Sequence, residues 1–268
     1  MPTPRRIDSP SNPIVVRARS LRDSRRRRWT ERAFLVEGPR FIADFVAAGL
    51  LPEALLLAES FPATSSLRAH RHVVVADRTL AEVSATEHGQ GAVAIFPFPE
   101  MGLAANEPRL VLALDGVQDP GNVGTLIRSA AASGADAVWF LPGAADPFNP
   151  KVIRAAAAAH AGIAVDGGPF ELVRQLGLRV VVADGGPDAT PLDEVAWAVP
   201  SLLVLGNEGS GVSDDVRAHA DLTVAIPISA HVESLNVAVA GSVILFEVAR
   251  QRRLLAGAGP PERASDAH

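Results

Sequence analysis

Five or six apolar residues, a turn rich in glycine or proline, and then a helical period: this unit recurs along the chain and restricts its fold more than any other feature. It is plainest in LVLALDGVQDPGNVGTLIRSA (residues 110–130). An apolar run that short reads as a buried strand. Pro120, Gly121, Asn122 and Gly124 then turn the chain, and a helix begins that carries Arg128. A glycine turn between a strand and a helix N-terminus is a common cradle for nucleotide or phosphate, and an equally common plain connection.

The same alternation places strands at 54–59, 72–76, 91–96, 109–115, 136–141, 179–184, 201–206 and 221–226. It places helices at 39–49, 78–85, 122–133, 150–160, 169–176, 213–219 and 234–253. Strands alternating with helices predict an α/β fold, here a small N-terminal α/β domain and a C-terminal α/β domain with a mainly parallel sheet. The stretch PFPEMGLAANEP (97–108) has three prolines and no period, and reads as the boundary between them. The expected layout is 1–98 for the first domain, 99–107 for the linker, 108–256 for the second domain and 257–268 for a disordered tail.

Charge is unevenly spread. Residues 1–45 hold 11 arginines against 5 acidic groups, a local +6, so the remainder carries −11 within the formal net charge of −5. RARSLRDSRRRRW (17–29) reads as a basic arm, with Arg25, Arg26, Arg27, Arg28 and, just beyond, Arg40 as contacts for a phosphate backbone. A solvated basic arm without a partner is the plain alternative. Arginine supplies 24 of the 25 basic residues, a ratio that also reflects an arginine-rich genome. Cysteine is absent, which excludes disulfides, thiolate zinc sites and a cysteine nucleophile. No apolar stretch is long enough to cross a bilayer and the N-terminus has no secretory core, so the expected location is the cytoplasm, with no membrane and no metal partner.

In a parallel sheet, ligands sit beyond the carboxyl ends of the strands. Three such loops are unusual. The first is the opening stretch; the second is LLVLGNEGSGVSDD (202–215); the third is VAIPISAHVESLNVAVAG (224–241), where Ser234 suits a helix N-cap. Gly-x-Gly-x-x-Gly and the lysine-bearing phosphate loop are both missing.

Together, Asn122-x-Gly124-x-x-x-Arg128, Gly206-Asn207-Glu208-Gly209 and Ile226-Pro227 followed by Ser234-Leu235-Asn236 resemble the SpoU/TrmH branch of the knotted RNA methyltransferases. The resemblance spans roughly residues 108–253. NPKVIRA (149–155) fits a segment often found between the first two motifs, and SPSNP through FLVEGPR resembles the substrate-binding domain of the ribosomal-RNA members. Ile228 stands where methionine is usual and Ala230 lies near a customary glycine, departures that bear on pocket shape.

The resemblance implies a deep trefoil knot and methyl transfer from S-adenosylmethionine to a ribose 2′-hydroxyl, most simply of 23S ribosomal RNA. A transfer-RNA enzyme and a non-catalytic RNA-binding protein of the same fold are the alternatives. It implies a catalytic set of Asn122, Arg128, Glu208, Ser234 and Asn236. It further implies a cofactor pocket built from Leu205, Gly206, Asn207, Glu208, Gly209, Ile226, Pro227, Ile228, Ser234 and Leu235, with Arg128 also meeting RNA. Glycines 206, 209 and 211 are expected to let backbone approach the adenosine. The helix from 234, apolar nearly all round in its first half, is expected to be buried on more than one side, and the resemblance adds a homodimer.

Overall fold

One sheet is built from seven strands, β6 (Leu110–Leu114), β7 (Ala137–Phe140), β8 (Ala164–Gly167), β9 (Arg179–Ala183), β10 (Thr190–Pro191), β11 (Ser201–Leu205) and β12 (Leu222–Ala225). They pair side by side, every pair parallel, in the order β10-β12-β9-β11-β6-β7-β8. β6 and β11, at the centre, are buried at all five positions. A strand covered on both faces needs no polar alternation, and their unbroken apolar sequence reflects this. The helices of this sheet are α5 (Pro120–Ser133), α7 (Phe170–Arg174), α8 (Asp214–Ala218) and α9 (Val237–Leu255). The computed structural model describes residues 6–62, 65–70, 72–86, 89–99, 107–186 and 188–257. Most of the expected linker and nearly all of the expected tail lie outside them.

A second sheet has the order β1-β4-β3-β5-β2, with β5 antiparallel to both its neighbours. Its strands are β1 (Arg6–Ile7), β2 (Ala33–Glu37), β3 (Ala54–Ala58), β4 (Val73–Val75) and β5 (Ala92–Pro97). The helices with it are α1 (Pro13–Asp23), α2 (Arg25–Glu31), α3 (Pro39–Ala47), α4 (Asp77–Ala81) and α6 (Pro150–Ala156). The chain divides into two compact units: Met1–Glu100 with Ala145–Gly162, and Met101–Ala144 with Ile163–His268. Residues 145–162 thus group with the N-terminal unit, although they lie between two stretches of the second.

Chemistry explains that grouping. Phe148 stacks on Phe98 at 3.7 Å between ring centroids, and lies 5.3 Å from Phe34. Asp146 is the carboxylate partner of Arg28. Pro147 offers its carbonyl to the buried His160 at 2.8 Å. The helix expected over 150–160 stops at Ala156. Ala157 and Ala158 both take positive φ (48° and 62°), against the preference of an alanine run. The turn they make carries His160 into a fully buried position. Tertiary packing overrides propensity here.

The expected basic arm is also corrected. Residues 13–31 form two helices, with Ser24 closing α1 and capping α2 through its side chain, which accepts from the Arg27 amide.

Candidate active site

Parallel pairing sets Leu114 of β6 beside Leu205 of β11, so both strands deliver their following loops to one edge of the sheet. The loop from β12 ends at the same edge because β12 is parallel to β9, and β9 to β11. Each loop is then shaped by polar groups close by. Asp119 caps α5 by accepting from the Asn122 amide at 2.8 Å, with Pro120 at the first helical position. Asn207 accepts from the amides of Gly209 and Ser210 at 2.8 and 3.1 Å and donates Nδ2–H to the Gly116 carbonyl at 2.8 Å. Its side chain therefore organises the second loop and ties it to the first. Asp115, only 8% exposed, does the same from the other side by accepting from the Ser213 amide at 2.7 Å.

Sequence reading missed Asp115 and Gly116. The signal was present as an Asp-Gly pair immediately after the apolar run, but its partners lie about 90 residues away.

Gly206 has a steric reason for being glycine. A Cβ there would stand 2.2 Å from the Gly211 carbonyl carbon and 2.3 Å from the Val212 nitrogen. The loop returns over its own start, and no side chain fits between. At Gly209 a Cβ would meet nothing closer than the Asn207 side-chain oxygen at 3.4 Å. Gly206 is half-buried and Gly209 exposed.

One hydrogen-bonded chain joins all three loops. Asn122 donates Nδ2–H to Glu208 Oε1 at 2.7 Å, and Asn236 donates Nδ2–H to Asn122 Oδ1 at 3.1 Å. The Asn236 side-chain oxygen in turn accepts from the amides of Ala238 and Val239. Asn236, not Ser234, is thus the N-cap of α9, and the helix begins at Val237. Ser234 remains in the loop, exposed, with no hydrogen bond among the described residues. Arg128 is exposed two turns into α5 and has no hydrogen bond or ion pair among the described residues. Gly121, Thr125 and Arg128 share its solvent-facing side.

The apolar residues named for the pocket divide in two. Leu205 is 2% exposed, packed under the loops. Ile228 and Leu235 are 41% and 37% exposed, and Pro227 faces solvent too, while Ile226 is half-buried. The structure therefore sets an open apolar lip, glycine-bearing backbone and a polar amide–carboxylate chain side by side at the sheet edge. Such a donor set suits a nucleoside: flat apolar faces with hydrogen-bonding edges.

The arginines proposed to meet RNA fare unequally. Arg28 is only 2% exposed. It donates from Nε and Nη2 to Asp146 Oδ2 at 2.7 and 2.6 Å, and from Nη1 to the carbonyls of Leu21 and Arg22. It is removed from the RNA-facing set. Arg27 is exposed but paired with Glu31 at 2.6 Å. Arg25, Arg26 and Arg40 are exposed, the last two with no partner among the described residues.

α9 also departs from expectation. Ala238, Gly241, Ile244, Leu245, Val248 and Ala249 are buried along one side, where Gly241 lets the helix approach Leu126 and Leu205. Val239, Val243 and Phe246, on the other side, are 50%, 42% and 49% exposed. Among the described residues the helix is covered on one side only, because no described element of its own unit packs over the other.

Residues 109–246 match the SpoU rRNA Methylase family, and residues 12–94 match the MRM3-like substrate binding domain. The 23S rRNA (guanosine(2553)-2′-O)-methyltransferase RlmP of Bacillus subtilis is 32% identical over 248 residues, covering 91% of this chain and 99% of that one. An AdoMet-bound rRNA methyltransferase from Sinorhizobium meliloti superposes with a TM-score of 0.80 at 26% identity, over 92% of this chain and 97% of the other. The SpoU methyltransferase AviRb from Streptomyces viridochromogenes, in complex with AdoMet, gives 0.78 at 29% identity, over 90% and 98%.

Proposed function

The chain belongs to the SpoU rRNA Methylase family, and on that premise we propose that it methylates a ribose 2′-hydroxyl of 23S ribosomal RNA, using S-adenosylmethionine. The observation that carries the reading is the Glu208–Asn122–Asn236 chain, which draws the three motif loops together while Arg128 stays free of partners among the described residues. A surface arginine with nothing to do is more often found paired or folded back. Here it is carried by the same helix, α5, whose first turn presents Asn122 to the acid–amide network.

The bound cofactor supplies a methyl group made electrophilic by sulfonium. The backbone around Gly209 and the side chains of Ile226, Ile228 and Leu235 would hold its adenosine. Asn207 acts one step back, by holding the loop. A guanidinium is a poor proton acceptor, so the part assigned to Arg128 is electrostatic. Its planar fork would hold RNA oxygens and stabilise the negative charge that develops on the 2′-oxygen. The proton passes to water. Glu208, Asn122 and Asn236 keep the loops in register so that ribose and methyl meet, and Ser234 offers a free hydroxyl at the same edge.

Three finer features belong to the same reading. Membership of the SpoU family, with AdoMet-bound neighbours of like fold, supports a chain closed into a trefoil knot. The uncovered Val239, Val243 and Phe246 side of α9 supports a homodimer, with a second copy of this helix as its cover. No helix of the described residues is long and apolar enough to cross a membrane, and the proposed substrate places the protein in the cytoplasm. Transfer of labelled methyl from the cofactor to ribosomal RNA, followed by mapping of the modified ribose, tests the whole reading. Absence of transfer with intact cofactor binding would leave an RNA-binding protein of the same fold.

A further inference from the structure

The first unit has a cavity of its own, about 380 Å³ in volume. That is at the small end of the roughly 300–1,000 Å³ usual for small-ligand sites. Its floor is apolar: Ala58, Phe61, Leu80 and Val93. Gly91, at φ +71°, keeps it open, since a Cβ there would press within 3.3 Å of the Phe61 ring. Its polar lining holds Ser60, Ser84 and Gln90 and is acidic in charge: among the described residues Glu37 and Asp77 line it, and no arginine or lysine does. A phosphate is repelled by such a lining. A flat ligand with N–H donors along one edge is not.

The two carboxylates are not equivalent. Glu37, 8% exposed, is committed to the turn that follows Val83: it accepts from the Ser84 and Thr86 hydroxyls and the Ala85 amide. Asp77 is exposed, and one oxygen accepts from the Ser60 amide at 3.1 Å. Its other oxygen has no hydrogen bond among the described residues, and neither does the exposed Gln90 amide. Beside Asp77 on α4 stands Arg78, exposed and without a partner among the described residues. It is three positions before the cavity-lining Ala81, hence its neighbour on the helix surface.

We propose that this cavity takes one unstacked RNA base, guanine in preference to the others, at a point distinct from the methylated ribose. Single-stranded bases are recognised by an apolar face and by hydrogen bonds to their edges. Guanine alone presents two N–H groups side by side, the match for a carboxylate. Arg78 then meets a flanking phosphate. The inference rests on the RNA-methyltransferase reading above but concerns a separate surface.

The test uses the full chain without cofactor and the labelled pentaribonucleotides UUGUU, UUAUU, UUCUU and UUUUU at low salt. Affinity for UUGUU should exceed that for UUUUU about ten-fold, the discrimination of one good paired contact. Ala81→Trp, which fills the cavity from an exposed position, should abolish the preference with unchanged circular dichroism. Asp77→Asn should reduce it several-fold without relying on the bulky variant. Equal binding of all four oligonucleotides by the parent, or an undiminished preference in both variants, overturns the proposal. Methyl transfer to ribosomal RNA is measured separately: transfer without guanine preference removes the pocket alone, and preference without transfer removes the methyltransferase reading alone.

Discussion

In the first unit at least five of the seven arginines of α1 and α2 are matched to carboxylates: Arg17 to Glu31 and Glu53, Arg19 to Glu82, Arg22 to Asp23, Arg27 to Glu31 and Arg28 to Asp146. In the second unit α5 carries Arg128 into solvent with no such match among the described residues. A dense cationic sequence and a lone arginine thus end with reversed availability. Charge density along a chain counts side chains, whereas phosphate recognition needs side chains whose donors are still free. The lone arginine meets that requirement, and most of the cluster does not.

The largest effect expected from this contrast falls on Arg28. Replacing it with alanine leaves the buried Asp146 carboxylate without its counter-charge, at a cost of about 3–5 kcal/mol. Urea unfolding should show that loss directly, and Tm should fall by roughly 2–4 °C for each kcal/mol. A change within the range of a surface substitution would mean that the ion pair is dispensable and the contrast false.

Arg128→Ala should behave in the opposite way. Folding and cofactor affinity stay close to the parent, while single-turnover methylation at saturating RNA and cofactor drops on the order of 10²–10³-fold. Lysine should restore little, since it keeps the charge and lacks the planar fork. Parental rates in the alanine variant would reduce Arg128 to an ornament of the helix surface.

The buried pair has a neighbour that responds to pH. Burial pushes the His160 imidazole down to about 4, against the opposing pull of the Pro147 carbonyl and the Asp146 carboxylate. The unfolded chain, near 6.5, then binds more protons than the folded one between those values. Stability from this residue is complete above pH 6.5 and is lost as pH falls toward 4, to a total of about 3 kcal/mol. His160→Gln should flatten the pH dependence of the urea midpoint across that window. A slope unchanged by the substitution would assign the acid sensitivity to other groups.

The smallest effect belongs to the arginines the cluster leaves free. Arg26→Ser with Arg40→Ser should leave stability unaltered and flatten the salt dependence of RNA binding, by about one unit of slope for each phosphate that is no longer neutralised. Replacing Arg27 alone should do less, because its charge is already answered by Glu31.

Most of the architecture was legible without coordinates. All eight expected strands form, with edges within a residue or two, because runs such as Leu110–Leu114 satisfy only a fully covered position in a sheet. The strands that escaped notice, β1, β8 and β10, are of two to four residues at or beside sheet edges, too short to carry a period. β2 was hidden by the arginines before it. The three motif loops could be read because glycine, proline and asparagine act locally, within a turn. Asn236 displacing Ser234 as the cap is a local contest between two good capping residues, and the bond from Asn236 to Asn122 sides with the later start.

By itself, then, the sequence determined an alternating α/β chain, the three strand-end loops and the side chains those loops present. Only the tertiary structure decided which of these side chains are free. Arg28 and Asp146 are 118 residues apart, as Asn122 and Asn236 are 114 apart, and no periodicity reaches that far. The same holds for Gly206, whose missing side chain is explained by the backbone that passes over it. Local conformation follows from nearest neighbours along the chain, but the pairing of a charge or the closeness of two backbones depends on neighbours in space.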